Sequence, residues 1–133
     1  MGIDGKIKQY IEKDNLIVDA GFDFICDAIG KSASRPNVMS YIAVGTGTTA
    51  PAAGQTALVT EINRQAATYS HTAGTKVFTF QATFNAGVAT GAITEAGVFN
   101  ASSAGTMLDR VTFSVINKGA DDTLTCTFQF TLS

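Results

Sequence analysis

The chain has 133 residues, a net charge of −2 and a charged fraction of 15%. That length suits one domain able to bury roughly two-thirds of its unfolded surface without a metal or disulfide staple. No basic stripe marks a nucleic-acid binder, and no run of about 18 apolar residues marks a membrane-spanning helix. Soluble domains usually carry about 25% charge, and residues 36–60 carry none. Lys, Glu and Asp are depleted at interfaces, so this composition suits a protein that assembles with other chains.

The chain opens MGIDGKIKQY, which lacks the apolar core of a signal peptide, so synthesis in a cytosol is expected. Residues 1–13 place Ile3, Ile7, Tyr10 and Ile11 among charges of both signs. This reads as an edge strand or an extended arm, apart from the body of a single β-rich domain over residues 1–133. Leu16, Ile17 and Val18 form a short strand-like run. Asp19 then offers an N-cap. Phe22, Ile25, Cys26 and Ile29 follow at i, i+3, i+4 and i+7, one face of a short helix over residues 20–29. So short a helix needs a sheet to pack on.

Residues 39–44 read as a central strand, apolar on both faces. The GTGTTAPAAG stretch at 45–54 has no regular period. Ala57, Leu58 and Ile62 suggest one or two helical turns within 56–64, and 66–71 suggests another strand. Over 76–85, Phe78, Phe80 and Phe84 alternate with Thr79, Gln81 and Thr83, the signature of a half-buried strand. Residues 93–116 read as a hairpin closed by the small residues of 100–105. Val111, Phe113 and Val115 are expected on its core side. A further turn at 117–122, with Lys118 beside Asp121 and Asp122, is expected to be solvated. Leu124, Cys126, Phe128, Phe130 and Leu132 then alternate with Thr123, Thr125, Thr127, Gln129 and Thr131. Seven or eight strands with turns between them predict a mainly β protein, an antiparallel β-sandwich or jelly roll with one helix.

Candidate chemistry is sparse. Gly45-Thr46-Gly47 follows a strand, but no third glycine opens a helix and no lysine follows, so neither nucleotide fingerprint is met. His71 is the only histidine, and a lone imidazole without a partner makes no triad. No His, Cys and carboxylate cluster with metal-ligand spacing is present. Cys26 and Cys126 are expected to be buried free thiols rather than a bridge. Asn100-Ala101-Ser102 matches a glycosylation acceptor but reads as the hairpin turn. Glu95 lies among apolar residues, with Arg64 and Arg110 as its expected partners. A guanidinium would offset part of the cost of burying its carboxylate. These features predict a structural ion pair, no cofactor, no bound metal and no enzyme activity.

Two stretches carry a resemblance. YIAVGTGTTAPAAGQTALVTEINR at 41–64 and ITEAGVFNASSAGTMLDRVTFSVINKGADDTLTCTFQFTL at 93–132 resemble a group of small structural proteins of tailed bacteriophages. These are described as tail-fibre-like or head-decoration proteins. The likeness rests on G-T-G-T-x-x-P, E-I-x-R and T-E-A-G-V-F, moderately specific together. It implies that Glu61, Arg64, Glu95 and Arg110 are framework positions. It further implies a cement protein on the capsid exterior, made in the host cytoplasm. Its expected partners are a major capsid protein and further copies of itself, as a homo-oligomer such as a dimer, with no nucleic acid and no membrane. The alternatives are a tail-fibre or baseplate module that touches a receptor, and a carbohydrate-binding module, for which the absence of Trp is unfavourable. Ile3, Ile7, Tyr10, Thr48, Thr49 and Pro51 are the expected interface residues.

Overall fold

A computed structural model of the protein describes residues 15–132. The expected arm, with Ile3, Ile7 and Tyr10, lies outside the described residues. Eight strands and one helix follow in the order β1 (Leu16–Ile17), α1 (Asp19–Gly30), β2 (Tyr41–Gly45), β3 (Glu61–Ala66), β4 (Thr68–His71), β5 (Val77–Phe84), β6 (Gly91–Phe99), β7 (Met107–Lys118) and β8 (Leu124–Thr131). They form two antiparallel sheets. Sheet A has the order β1-β7-β6-β2-β3, and sheet B has the order β4-β5-β8. The chain passes from sheet A to sheet B at Ala67, whose N–H donates to the Ser40 carbonyl at 2.8 Å. The protein is thus mainly β, a two-layer arrangement of the β-sandwich kind.

The main core fills the space between the sheets. Sheet A contributes Ile42, Val44, Ile93, Ala96, Val98, Leu108 and Val111, and sheet B contributes Phe80, Ala82, Phe84, Phe128 and Phe130. β5 and β8 pair across eight residues without a bulge. Their phenylalanines therefore stay in phase, and Phe78 stacks on Phe130 with centroids 5.1 Å apart. Each fully buried Phe contributes about 1.5–3 kcal/mol by area.

β7 departs from the simple alternation. Its register against β6 shifts between Ile93 and Glu95, and again between Val98 and Phe99. Residues 113–115 sit in the first irregularity. Val111 is buried and Phe113 packs on the core, but Val115 is 43% exposed. A bulge resets the side-chain phase, which a period-2 reading does not anticipate. Lys118 also differs from the expected solvated turn. It is buried, and its Nζ donates to the Asn85 and Asp122 carbonyls at 3.0 and 2.7 Å.

The helix differs in three respects. Val18, not Asp19, is the N-cap, with no side-chain cap bond, and Asp19 is the first helical residue. The inward face is Gly21, Phe24, Ile25 and Ala28, whereas Phe22 is 53% and Ile29 80% exposed. Cys26 is exposed as well, so it is free but not buried. The cause is Gly21. A Cβ there would lie 2.1 Å from the Leu108 carbonyl oxygen, so only glycine lets the helix backbone seat on β7. That contact sets the helix rotation, and hydrophobicity along the helix does not. Arg35 closes the other end by donating to the Lys31 and Ala28 carbonyls.

The expected helical turns within 56–64 are absent. Residues 46–60 form a long loop, and β3 begins at Glu61. This loop lies over the face of sheet A turned away from sheet B. A second cluster of Val18, Ala43, Leu58, Phe99 and Met107 is buried there. Truncating either central phenylalanine, Phe80→Ala or Phe128→Ala, is expected to cost about 3–5 kcal/mol. Urea denaturation of the two variants checks this, and losses under about 1 kcal/mol for both would contradict the assigned strand phase.

Candidate functional site

The most organised polar centre lies on the outer face of sheet A. β2 and β6 place Gly45 opposite Glu95, and β7 places Arg110 opposite Gly97. Both charged side chains are fully buried. The Arg110 guanidinium meets the Glu95 carboxylate through Nε to Oε1 at 2.9 Å. Its Nη2 lies 2.9 Å from the same oxygen, but poorly aligned, and so is left without a proper hydrogen bond. Of the two arginines considered as partners from the sequence, Arg110 takes this place.

The rest of the Glu95 carboxylate belongs to the loop. Oε2 accepts the N–H groups of Gly47 at 2.8 Å and Thr60 at 2.7 Å, and Oε1 accepts that of Val59 at 2.9 Å. Arg110 Nη1 donates onward to the Thr49 carbonyl at 2.7 Å and to Gln55 Oε1 at 3.1 Å. Gln55 in turn accepts from Ala52 N and donates to the Ala50 carbonyl. Thr94, beside Glu95, donates to the Gly47 carbonyl at 2.8 Å. One ion pair thus fixes both ends and the middle of a loop with no charge of its own.

The glycines of the GTG motif follow from this geometry. A Cβ on Gly45 would lie 2.2 Å from the Thr60 oxygen, and one on Gly47 would lie 2.5 Å from Glu95 Oε2. The motif that looked faintly like a phosphate loop from sequence holds an internal carboxylate instead. Its amide donors are a place where an anion is stabilised, and Glu95 is that anion.

Burial alone would raise the Glu95 pKa. The N–H groups of Thr60, Val59 and Gly47, with Arg110, outweigh it and hold the carboxyl below its ordinary value. The stability this contributes is present above the unfolded carboxyl's pKa and is lost as pH falls through the folded one.

Arg64 stands elsewhere on the same face, opposite Ala43. It forms a two-pronged pair with Glu61 at 2.9 and 2.7 Å. Its Nη1 donates to the carbonyls of Ala101 and Ala104, both at 2.9 Å. Its guanidinium carbon sits 3.8 Å from the centre of the Phe99 ring, a cation–π arrangement. Arg64 therefore anchors the 100–105 turn. Asn100 closes that turn by accepting the Thr106 N–H at 2.7 Å.

The loop explains part of the missing charge in residues 36–60. Its inward side, Gly47 and Leu58, covers its own sheet, while Thr48 and Thr49 are exposed and Pro51 is half-buried. His71 is exposed on β4, with Nδ1 2.7 Å from the Val77 carbonyl. Among the described residues no three His, Cys, Asp or Glu side chains come together as metal ligands, and no helix is long and apolar enough to cross a membrane. Cys126 is a free thiol whose burial pushes its pKa up to about 12.

The sequence reading missed Asp109. It lies on β7 opposite Ile17 and Val98, fully buried. The Val98 N–H donates to its Oδ1 at 3.3 Å, and Oδ2 has no partner. Burial outweighs that single bond and raises the pKa to about 8. No family model matches the chain, and no curated protein matches it.

Glu95→Gln places an amide NH₂ where backbone N–H groups converge and leaves Arg110 buried without its counter-charge. A loss of about 3–5 kcal/mol is expected, with faster hydrogen exchange at Gly47, Val59 and Thr60. Unchanged exchange at those three amides would show that the loop is held by something else.

Asp109→Asn tests the second buried carboxyl. Below about pH 4 the carboxyl is protonated in both the folded and the unfolded wild-type chain. As pH rises the unfolded chain releases that proton first, so wild-type stability falls until the folded carboxyl itself ionises near pH 8. The variant lacks this loss and gains on wild type by up to about 1.4 kcal/mol per pH unit across that window. Denaturation midpoints at about pH 5 and about pH 8 measure the difference. A constant gap between the two proteins would refute a protonated Asp109.

Proposed function

We propose that the protein is a capsid cement, or decoration, protein of a tailed bacteriophage, which lies over joints between major capsid subunits. The observation that carries this reading is the chargeless loop at 46–60. A buried carboxylate and guanidinium clamp it from beneath, and its outer side exposes Thr48, Thr49, Ala50, Ala52 and Ala53. Small side chains let one backbone approach another closely, and exposed Thr hydroxyls and carbonyls supply hydrogen bonds across a joint. A loop already held in place loses little further conformational freedom on docking.

The work of such a protein is mechanical. Each copy adds a modest contact that opposes separation of neighbouring subunits under the pressure of packaged DNA. Repetition over the shell makes the contacts act together. The buried Glu95 and Arg110 serve as framework in this reading. The resemblance of residues 41–64 and 93–132 to phage head-decoration and tail-fibre-like proteins points the same way.

The test is location followed by release. Purified virions separated into heads and tails are expected to carry the protein on heads. Thr48→Lys with Thr49→Lys adds charge to exposed side chains and leaves the Thr49 carbonyl bond to Arg110 in place. This variant is expected to bind heads at least about tenfold more weakly, with an unchanged circular dichroism spectrum. Wild-type protein found on tails alone would replace cement with a tail module. Full retention of the lysine variant on heads would move the contact away from this loop.

A further inference from the structure

Asp109 takes no part in the ion pair or the loop, yet it is fully buried and its Oδ2 has no hydrogen-bond partner. Its register partners are Ile17 on β1 and Val98 on β6. Directly paired residues share a face of a sheet, and Val98 and Ile17 belong to the main core. The carboxyl is therefore enclosed between those two strands. Its two walls are held very differently. β6 is a central strand, paired with β2 on one side and with β7 on the other. β1 is two residues long, and among the described residues its strand neighbour is β7 alone. It leads straight into α1, which is attached around the same spot. The Val18 N–H donates to the Leu108 carbonyl at 3.2 Å, and Gly21 seats against that carbonyl. The Asp19 N–H donates to the Ala53 carbonyl at 2.8 Å, and Phe24 and Ile25 pack on the core. α1 has no side-chain N-cap bond, and a helix of 12 residues has little stability of its own.

We infer that β1 and α1 form a flap released by rising pH, in which ionisation of Asp109 frees them from β7 while the two sheets stay assembled. A carboxylate enclosed there has one N–H donor, that of Val98 at 3.3 Å, too few to replace its lost hydration. Closed, the carboxyl keeps its proton. Open, water solvates the carboxylate and the proton leaves. The wall with the fewest ladder bonds yields first. Among the described residues no other charge intervenes. β1 and β5 carry no titratable side chain, and Glu95 of β6 is bound to Arg110 on the opposite face. Asp19, Asp23, Cys26 and Asp27 of α1 are exposed. Lys118 lies at the far end of β7, bound to the Asn85 and Asp122 carbonyls. Across the core, burial keeps the Cys126 thiol from ionising. The closed carboxyl holds its proton to about pH 8, whereas a solvated one releases it near about pH 4. Rising pH therefore favours opening about tenfold per unit between those values and no further above them. The inference does not depend on the capsid reading.

Hydrogen exchange on the full chain tests it, followed amide by amide from about pH 5 to about pH 9 and corrected for the intrinsic rise of exchange with pH. Val18, Asp19 and the α1 amides are expected to lose protection about tenfold per pH unit up to about pH 8 and to level off above it. They are expected to open at least about tenfold more often than the β5 and β8 amides, with a weaker urea dependence, as a local opening requires. Asp109→Asn is expected to remove the pH slope from the α1 amides. Asp23→Asn, at an exposed position of the same helix, is expected to leave it. The carboxyl-carbon chemical shift of Asp109 in unmodified protein adds a measurement independent of any variant, with an expected midpoint near about pH 8. A midpoint near about pH 4, α1 protection flat with pH, an unchanged slope in Asp109→Asn, or α1 amides that open only with the whole molecule would each overturn the inference.

Discussion

A buried carboxylate must be supplied with donors or it does not stay ionised. Glu95 meets that requirement with three backbone N–H groups and one guanidinium, and the three N–H groups all belong to residues 46–60. The loop has no helix or strand of its own to satisfy those amides. Charge and loop therefore depend on each other. Without the loop, Glu95 and Arg110 would be left on a sheet face with only the bond between them. Without the ion pair, an uncharged, small-residue segment would have little to hold it down. Buried ion pairs are poor contributors to net stability, because desolvation offsets most of their attraction. What this pair supplies is position, since it selects one path for a loop that apolar burial alone would leave underdetermined.

The same requirement reaches into the sheet. Gly45 and Gly47 are fixed by the room the carboxylate and the Thr60 carbonyl occupy. Gly97 is fixed by the Asp109 backbone oxygen, 2.7 Å from where its Cβ would stand, and Leu58 packs just beyond. Two motifs that look unrelated along the chain, G-T-G and T-E-A-G, are thus two sides of one contact. Asp109 shows the opposite case on the same strand as Arg110. One N–H is too little to hold its charge, so its carboxyl keeps a proton that Glu95 gives up. Acid protonates Glu95 and weakens the clamp, while the folded Asp109 holds a proton that the unfolded chain releases, at a cost that grows until about pH 8. The two groups pull stability in opposite directions, Glu95 weakening the fold as pH falls and Asp109 weakening it as pH rises from about 4 to about 8.

Where side chains alone decide structure, the sequence was legible. The alternating phenylalanines of β5 and β8 define both strands and their inward faces, because those strands pair without a bulge. The Glu95 and Arg110 pairing was legible from the scarcity of other charges nearby. Backbone contacts were not. The helix is rotated from its expected face, keeping only Ile25 inward, because Gly21 abuts the Leu108 carbonyl, a fit that no hydrophobic period encodes. The loop was read in part as helix because Ala57, Leu58 and Ile62 are helically spaced, while Leu58 is held by a sheet face and Ile62 lies in β3. The carboxylate's main partners are amide groups, which every residue but proline carries, so sequence offers no mark of them. Arg64 was placed with Glu95 on charge alone, yet Glu61, three residues away, holds it.

Charge scarcity then has an internal source in one region of the fold and not in the other. On the outer face of sheet A it is internal. Charges are excluded from the underside of the loop because that side covers Ala43, Phe99 and Met107. On β8 this account fails, since no described strand lies beyond the edge and Thr125, Thr127 and Gln129 face solvent. Lysine would be tolerated at these positions by the fold, and it is the common protection for such an edge. That distinction separates the two uncharged regions, one covering its own sheet from beneath and the other presenting exposed Thr125, Thr127 and Gln129 on a paired strand.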